Sequence, residues 1–248
     1  MTISTGHFFT SPKVQQLIVQ FAFRIPIRKE LNTAEKKALE NVLKDIDHEN
    51  FQLFDEPSQK NPACLFQVLR QLPIEATTIT IPSFVLMNDN FSFLCPMRIT
   101  GRNISGIGQL DASDINRKIL EWFSEVEQVI SNPHCQRAGK IYELILGRFS
   151  AAEKETVFNK LFALGLSDVG ELNLTFAKYH KEGEEVFNIQ NNIRFLQGRI
   201  EDEFFISLRV DVNNRNLKTM MEQREIERVW NFADTLIDTH LKGILNVL

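Results

Sequence analysis

In this chain of 248 residues few of the side chains that can attack, coordinate or carry a proton stand at a useful spacing. The five histidines are His7, His48, His134, His180 and His240. No two fall at i,i+4 or as HxH, the spacings that aim two imidazoles at one zinc ion. Only His134 has a neighbouring cysteine, Cys135. Adjacent loop side chains diverge, so a metal there needs two further ligands from elsewhere. His48 and His240, near expected helix C-termini, suit surface positions that complement the helix dipole. There is no GxSxG or SxxK nucleophile motif. Cys135 is therefore a lone thiol, catalytic only if a distant base reaches it. The glycine-bearing GRNISGIG (Gly101–Gly108) has neither GxGxxG nor the GK[ST] ending of a phosphate cradle. Asp111 and Asp114 open the helix expected after it, and their charge repels an anion there. The acidic groups Glu201–Glu203 and Glu182–Glu185 lack spaced calcium ligands and read as solvated surface. The sequence thus assigns no catalytic, cofactor-binding or metal residue.

Composition sets the frame for those side chains. With 43% hydrophobic and 24% charged residues, the chain matches a globular average. Twenty Phe against two Tyr and two Trp means rings without a polar tip, which belong in a core. Net charge is −4. Residues 1–134 hold 13 basic and 15 acidic side chains, residues 135–248 hold 15 and 17. That balance does not favour nucleic acid, whose phosphates draw a basic face. The opening MTISTGHFFTSPK lacks the basic-then-apolar pattern of a leader, and no apolar run nears the ~18–20 residues of a membrane span. Three scattered cysteines without CxxC spacing read as reduced thiols. The expected setting is the cytoplasm, with no membrane contact.

The elements that must position any site follow from periodicity. VQQLIVQFAFRIPI (Val14–Ile27) alternates, with Leu17, Val19, Phe21, Phe23 and Ile25 on one face, and predicts a half-buried strand. Asn32 with Glu35 forms a capping-box signature for a helix. Strands are expected at Phe51–Phe54, Cys64–Leu72, Ala76–Met87 and Phe91–Ile99, with a hairpin turn at Asn88–Asn90. A long helix over Ala112–Ser131, capped by Asp111, carries the stripe Ile115, Ile119, Trp122, Phe123, Val126, Val129 and Ile130. After a break at Ser131–Gln136 the order begins again. A strand at Lys140–Phe149 leads to a helix capped by Ser150 with Glu153. Strands follow at Gly170–Tyr179, Glu184–Leu196 and Glu201–Val212, with turns at His180–Gly183 and Gln197–Gly198. A last helix spans roughly Lys218–Val247.

Two stretches tie the halves together. NTAEKKALENVL (Asn32–Leu43) and SAAEKETVFNKL (Ser150–Leu161) share Ala, Glu, Lys, Asn and Leu at positions 118 residues apart. The stripe Ile119, Trp122, Phe123, Val126, Val129, Ile130 returns as Ile226, Val229, Trp230, Ala233, Leu236, Ile237, a shift of 107. The expectation is two pseudo-symmetric β-α-β(3–4)-α repeats, residues 1–134 and 135–248. This element order resembles the duplicated TATA-box-binding-protein-like fold. That resemblance implies an α+β protein with a shared curved antiparallel sheet and its helices on one face. The alternative is two ferredoxin-like domains joined near Asn132.

Function does not follow from a fold. The residues expected to face outward are Gln16, Gln20, Gln67, Thr78, Thr80, Asn173, Thr175, Asn188, Gln190 and Asn192, a polar, near-neutral face. Minor-groove binding needs Arg or Lys beside inserted apolar wedges, whereas these ten residues are uncharged. Met220 and Met221 suit adaptable contacts, and the apolar LKGILNVL (Leu241–Leu248) should be docked. The expected function is non-catalytic binding or assembly, through the polar sheet face or the seam near Asn132–Gln136. The partner is a protein or a second copy, since open sheet edges and the apolar tail are compatible with a homodimer. An enzyme site at the repeat junction, using Cys135, His134 or gathered carboxylates, is one alternative. Nucleic-acid binding by the sheet is the other.

Overall fold

The computed structural model describes residues 14–25, 32–46, 53–55, 66–68, 83–87, 90–100, 103–106, 112–129, 135–150, 152–153, 155–156, 172–197 and 204–245. Its elements run β1 (Val14–Arg24), α1 (Thr33–Ile46), β2 (Leu53–Asp55), β3 (Phe66–Val68), β4 (Ser83–Met87), β5 (Asn90–Thr100), β6 (Asn103–Gly106) and α2 (Ala112–Val129). Then come β7 (Arg137–Phe149), β8 (Leu172–Glu182), β9 (Glu185–Gln197), β10 (Phe204–Asn214) and α3 (Gln223–Leu245). Both capping boxes form. Asn32 Oδ1 accepts from the Ala34 and Glu35 amides, each at 2.9 Å, and the Asn32 amide donates back to Glu35 at 2.8 Å. The Ser150 amide donates to Glu153 Oε2 at 2.8 Å, and the Glu153 amide to Ser150 Oγ at 3.3 Å. No helix among the described residues is long and apolar enough to cross a membrane.

All strands among the described residues join one antiparallel sheet in the order β2-β3-β4-β5-β1-β7-β10-β9-β8, with β6 paired to β5. β1 and β7 lie side by side along nearly their whole length, from Val14↔Leu146 to Arg24↔Arg137. The two halves of the chain therefore share a sheet, and the arrangement of two separate domains is set aside. Because side chains alternate along a strand, the register puts Val19, Phe21 and Phe23 on the same face as Ala138, Lys140, Tyr142 and Leu144. Leu208, Val210 and Val212 of β10 continue that face, as do Phe187, Ile189, Asn191 and Phe195 of β9.

The helices cover this face. Phe123 of α2 stacks on Phe23 with centroids 3.9 Å apart. Trp230 of α3 meets Phe21 edge-on at 4.9 Å and Phe23 at 5.4 Å. Ile119, Phe123 and Val126 of α2 and Ile226, Val229, Trp230, Ala233 and Ile237 of α3 are buried, as their spacing requires. Leu39 anchors α1 in the same core. Burying one such side chain contributes roughly 1.5–3 kcal/mol.

Three expectations need correction, and one strand is additional. Residues 103–106 of GRNISGIG form β6 and pair with β5 from Thr100↔Asn103 to Met97↔Gly106. β7 begins at Arg137, because Gln136 N donates to Arg24 O at 2.9 Å and already commits the chain to the sheet. β8 runs through His180 to Glu182, because the hairpin turns on Gly183 (φ 62) and Glu184. Only glycine adopts that positive φ without strain. The last helix begins at Gln223 rather than Lys218. The first helical hydrogen bonds close on Glu222 O, from the Glu225 and Ile226 amides at 2.9 and 3.1 Å, while the Lys218 and Met221 amides bind Gln136 O at 3.0 Å and Cys135 O at 2.8 Å.

Candidate functional site

The side chains that looked reactive in the sequence are not brought together. Cys135 is fully buried, and its Sγ donates to Arg137 O at 3.3 Å. Burial, then the nearby Glu127 carboxyl, pushes its thiol well above the ordinary range. A thiol held neutral this way is a poor nucleophile. Glu127 is itself pushed up to about 7 by desolvation, while a hydrogen bond from the Cys135 amide pulls the other way. His180 is exposed, and its ring stacks on Phe232 with centroids 5.0 Å apart. His7, His48, His134, Glu201–Glu203, Thr78 and Thr80 lie outside the described residues, as do the side chains of Gln67 and His240. Among the described residues no group of three His, Cys, Asp or Glu could hold a metal ion. The acidic hairpin is used structurally: Lys218 hydrogen-bonds both Glu185 and Glu225, and Arg228 sits 3.7 Å from Glu182. Burial alone would lower the Lys218 ammonium, but its two carboxylate partners raise it overall. Met221 is buried, whereas Met220 is half exposed.

A polar cluster that the sequence reading missed lies between the helices and the sheet. Lys140 Nζ donates to Asp234 Oδ1 and Oδ2 at 2.7 and 2.8 Å, and to Asn116 Oδ1 at 2.8 Å. Asn116 Nδ2 donates to Asp234 Oδ2 at 3.2 Å, and the Tyr142 hydroxyl donates to Asp234 Oδ1. The Lys140 ammonium also lies 4.7 Å from the centre of the Phe21 ring. Lys140 is 2% exposed and Asp234 7%, so this is a buried ion pair with its donors and acceptors matched. Burial and the Asp234 charge hold the Tyr142 hydroxyl protonated, far above its usual range. The cluster fastens α2, through Asn116, and α3, through Asp234, to one strand. Its groups are enclosed by Phe21, Trp230 and the sheet, which makes it a clasp rather than a place to hold substrate. Nearby strand β9 carries Asn191, fully buried, with neither side-chain polar atom hydrogen-bonded.

The opposite face of the sheet is different in kind. Gln20, Asn173, Thr175, Asn188, Gln190 and Asn192 all fall on it by register, as expected. Over β8–β10 it is wet: Asn173, Thr175, Ala177, Tyr179, Gln190, Arg194 and Arg209 are exposed. Its side chains hold one another in place. Asn192 Nδ2 donates to Asn173 Oδ1 and Thr175 Oγ1 at 2.6 Å each, and Arg194 Nε donates to Asn192 Oδ1 at 2.9 Å. Asn213 Nδ2 donates to Asp211 Oδ1 at 2.8 Å. Burial raises the Asp211 carboxyl, against that hydrogen bond and the charges of Arg209 and Arg137. Toward the centre the face closes, with Ile141 buried and Gln20 half-buried.

This face is less neutral than the amides alone suggested. Arg24, Arg137, Arg194 and Arg209 occupy it by register, and Arg215, just past β10, lays its guanidinium over the Tyr179 ring at 4.0 Å. Glu143 and Asp211 are the carboxylates placed among them by the same registers. Alternation within the strands puts Arg24 beside Gln20 and Arg194 beside Asn192, whereas Arg137 and Arg209 join them only through strand pairing. No family model matches the chain, and neither a curated protein nor a solved structure does.

Proposed function

We propose that this is a non-catalytic binding or assembly protein that engages a protein partner through the sheet face turned away from its helices. One observation carries the reading: the exposed strip over β8–β10 is polar and pre-ordered by the hydrogen bonds around Asn192. Side chains fixed before contact lose less conformational freedom on binding, so such a strip suits recognition. The groups with chemical potential, Lys140, Asp234, Tyr142 and Cys135, lie on the covered side and are buried. We further propose that residues 1–134 and 135–248 are duplicated repeats of the TATA-box-binding-protein-like kind. The strand order supports this: each half places its first strand, β1 or β7, at the middle of the sheet and its other strands outward. A cytoplasmic setting fits the buried free thiol of Cys135.

The test is affinity capture from the source cells with wild type and with Asn192→Ala/Arg194→Glu. The expected result is a reproducible partner set that the double variant loses while its circular dichroism is unchanged. Equal capture by both proteins overturns the assignment of the sheet face.

A further inference from the structure

β8 runs for 11 residues at one end of the sheet, and among the described residues no strand lies beyond it. At the other end of the strand order β2 has only 3 residues. The register of β8 against β9 is unbroken from Leu172↔Phe195 to Glu182↔Glu185, so no bulge turns this edge aside. The ladder also fixes which backbone groups the edge presents. Val186 O accepts from Arg215 N, on the β10 side, at 2.8 Å. Lys181, opposite Val186, therefore belongs to a pair that exchanges no hydrogen bond with β9, and its N–H and C=O turn outward. Alternation gives Asn173, Thr175, Ala177 and Tyr179 the same orientation, and all five residues are exposed. None of their main-chain groups bonds outside the sheet among the described residues. Such an edge templates another strand, and proteins hold strands off it with short edges, bulges, proline or lysine. β8 has neither proline nor bulge, but it carries Lys178 and Lys181.

We infer that β8 is a homodimer interface, pairing antiparallel with β8 of a second copy about a twofold axis at Ala177. The edge is a different surface from the sheet face, and the inference stands independently of that reading. With the axis at Ala177 the strand pairs over all 11 residues, and each charged side chain falls opposite an uncharged one. Lys178 meets Phe176, Lys181 meets Asn173, and Glu182 meets Leu172. Moving the axis to Lys178 sets two ammonium groups face to face, which is unfavourable in a sheet. Moving it to Phe176 leaves Lys181 and Glu182 without partners in β8. The lysines that hold other strands off thus admit a second copy, in one register. Lys178 Nζ already lies 5.8 Å from the centre of its own Phe176 ring, and the copy's Phe176 brings a second aromatic face to it. The outward pairs form about ten inter-chain hydrogen bonds, the number carried by a typical stable interface. The axis stands normal to the sheet, so the dimer is closed and both open faces lie on one side.

The experiment is sedimentation equilibrium of the full chain from about 1 to 100 μM, with disulfide trapping of two cysteine variants. Ala177→Pro deletes an outward N–H and leaves the ladder to β9 intact. The expected result is a wild-type dimer that Ala177→Pro weakens about tenfold or more, with unchanged circular dichroism. On mild oxidation Ala177→Cys should form a disulfide-linked dimer, because Cα atoms of a hydrogen-bonded pair lie about 5.5 Å apart, within disulfide reach. Asn173→Cys keeps the same native thiols and should not link, because its two copies lie roughly 27 Å apart along the strands. A monomer throughout, a folded Ala177→Pro that dimerises as wild type does, or linkage at 173 equal to that at 177 overturns the inference. Where Ala177→Pro loses its circular dichroism, linkage at 177 and not at 173 decides alone. None of these results bears on partner capture by the sheet face, which Asn192→Ala/Arg194→Glu tests separately.

Discussion

Replacing Lys140 with methionine keeps the length of the side chain and deletes its charge, leaving Asp234 buried beside Tyr142 and Asn116 alone. The pair is 2% and 7% exposed, so water cannot replace the ammonium without opening the helix layer. Breaking a buried, hydrogen-bonded pair by removing one partner costs about 3–5 kcal/mol. Total stabilities run about 5–15 kcal/mol. For a chain of this size each kcal/mol moves Tm by about 2–4 °C, so the expected fall is roughly 6–20 °C. Urea unfolding followed by tryptophan fluorescence is the assay, because Trp230 lies 6.0 Å from Lys140 Nζ and reports the site. Burial favours the neutral form of an uncompensated carboxylate, so the variant should recover part of its loss at pH 5 relative to pH 8. Lys140→Met/Asp234→Leu removes both charges and should regain most of the stability, since apolar replacement of a buried pair is often neutral or better. A Lys140→Met cost below about 1 kcal/mol, or a double variant no better than the single, refutes the clasp.

The remaining predictions concern other points of the fold. Glu127, at about 7 in the folded protein against an ordinary 4.5, takes up a proton on folding over that window. Its contribution therefore falls as pH rises from about 4.5 through 7. Glu127→Gln should match wild type near pH 4.5 and exceed it by about 1 kcal/mol at pH 8, after solvent screening is discounted, in urea titrations at both pH values. Asn191→Val removes two unpartnered buried polar atoms and should stabilise by about 1–2 kcal/mol, read as a higher urea midpoint. Gly139→Ala would put a Cβ 2.7 Å from Val212 O and 2.8 Å from Asn213 Cβ, and should cost about 1–3 kcal/mol in thermal unfolding. Gly183→Ala meets open space but keeps φ at 62°, and should cost about 1–2 kcal/mol through backbone strain alone.

What the sequence made legible was everything local. Asn32 with Glu35 and Ser150 with Glu153 announced two helix starts, because a capping box is written within four residues. The stripe from Ile226 to Ile237 announced the buried side of α3, because period 3.6 shows in any window that long. Helix and strand ends were blurred where distant backbone groups intervene, as when Gln136 and Cys135 claim the amides of Lys218 and Met221. The clasp was invisible for the same reason. Lys140 opens its expected strand, Asn116 and Asp234 fall outside the apolar stripes of their helices, and 94 residues separate Lys140 from Asp234. Arg137, Lys181 and Arg215 come to one end of the sheet face only because β7 and the β8–β10 meander align them. The amides of the exposed face, with Arg24 and Arg194, were legible by alternation, whereas Arg137, Arg209 and Arg215 needed the register.

The claim that a partner binds the sheet face rather than the helices is tested most directly by site-specific photo-crosslinking in the source cells. One protein carries a benzophenone amino acid at Gln190, exposed on the sheet face, and another carries it at Arg224, exposed on α3. The account predicts a discrete crosslinked product from position 190 and none from position 224. A product from 224 alone contradicts it.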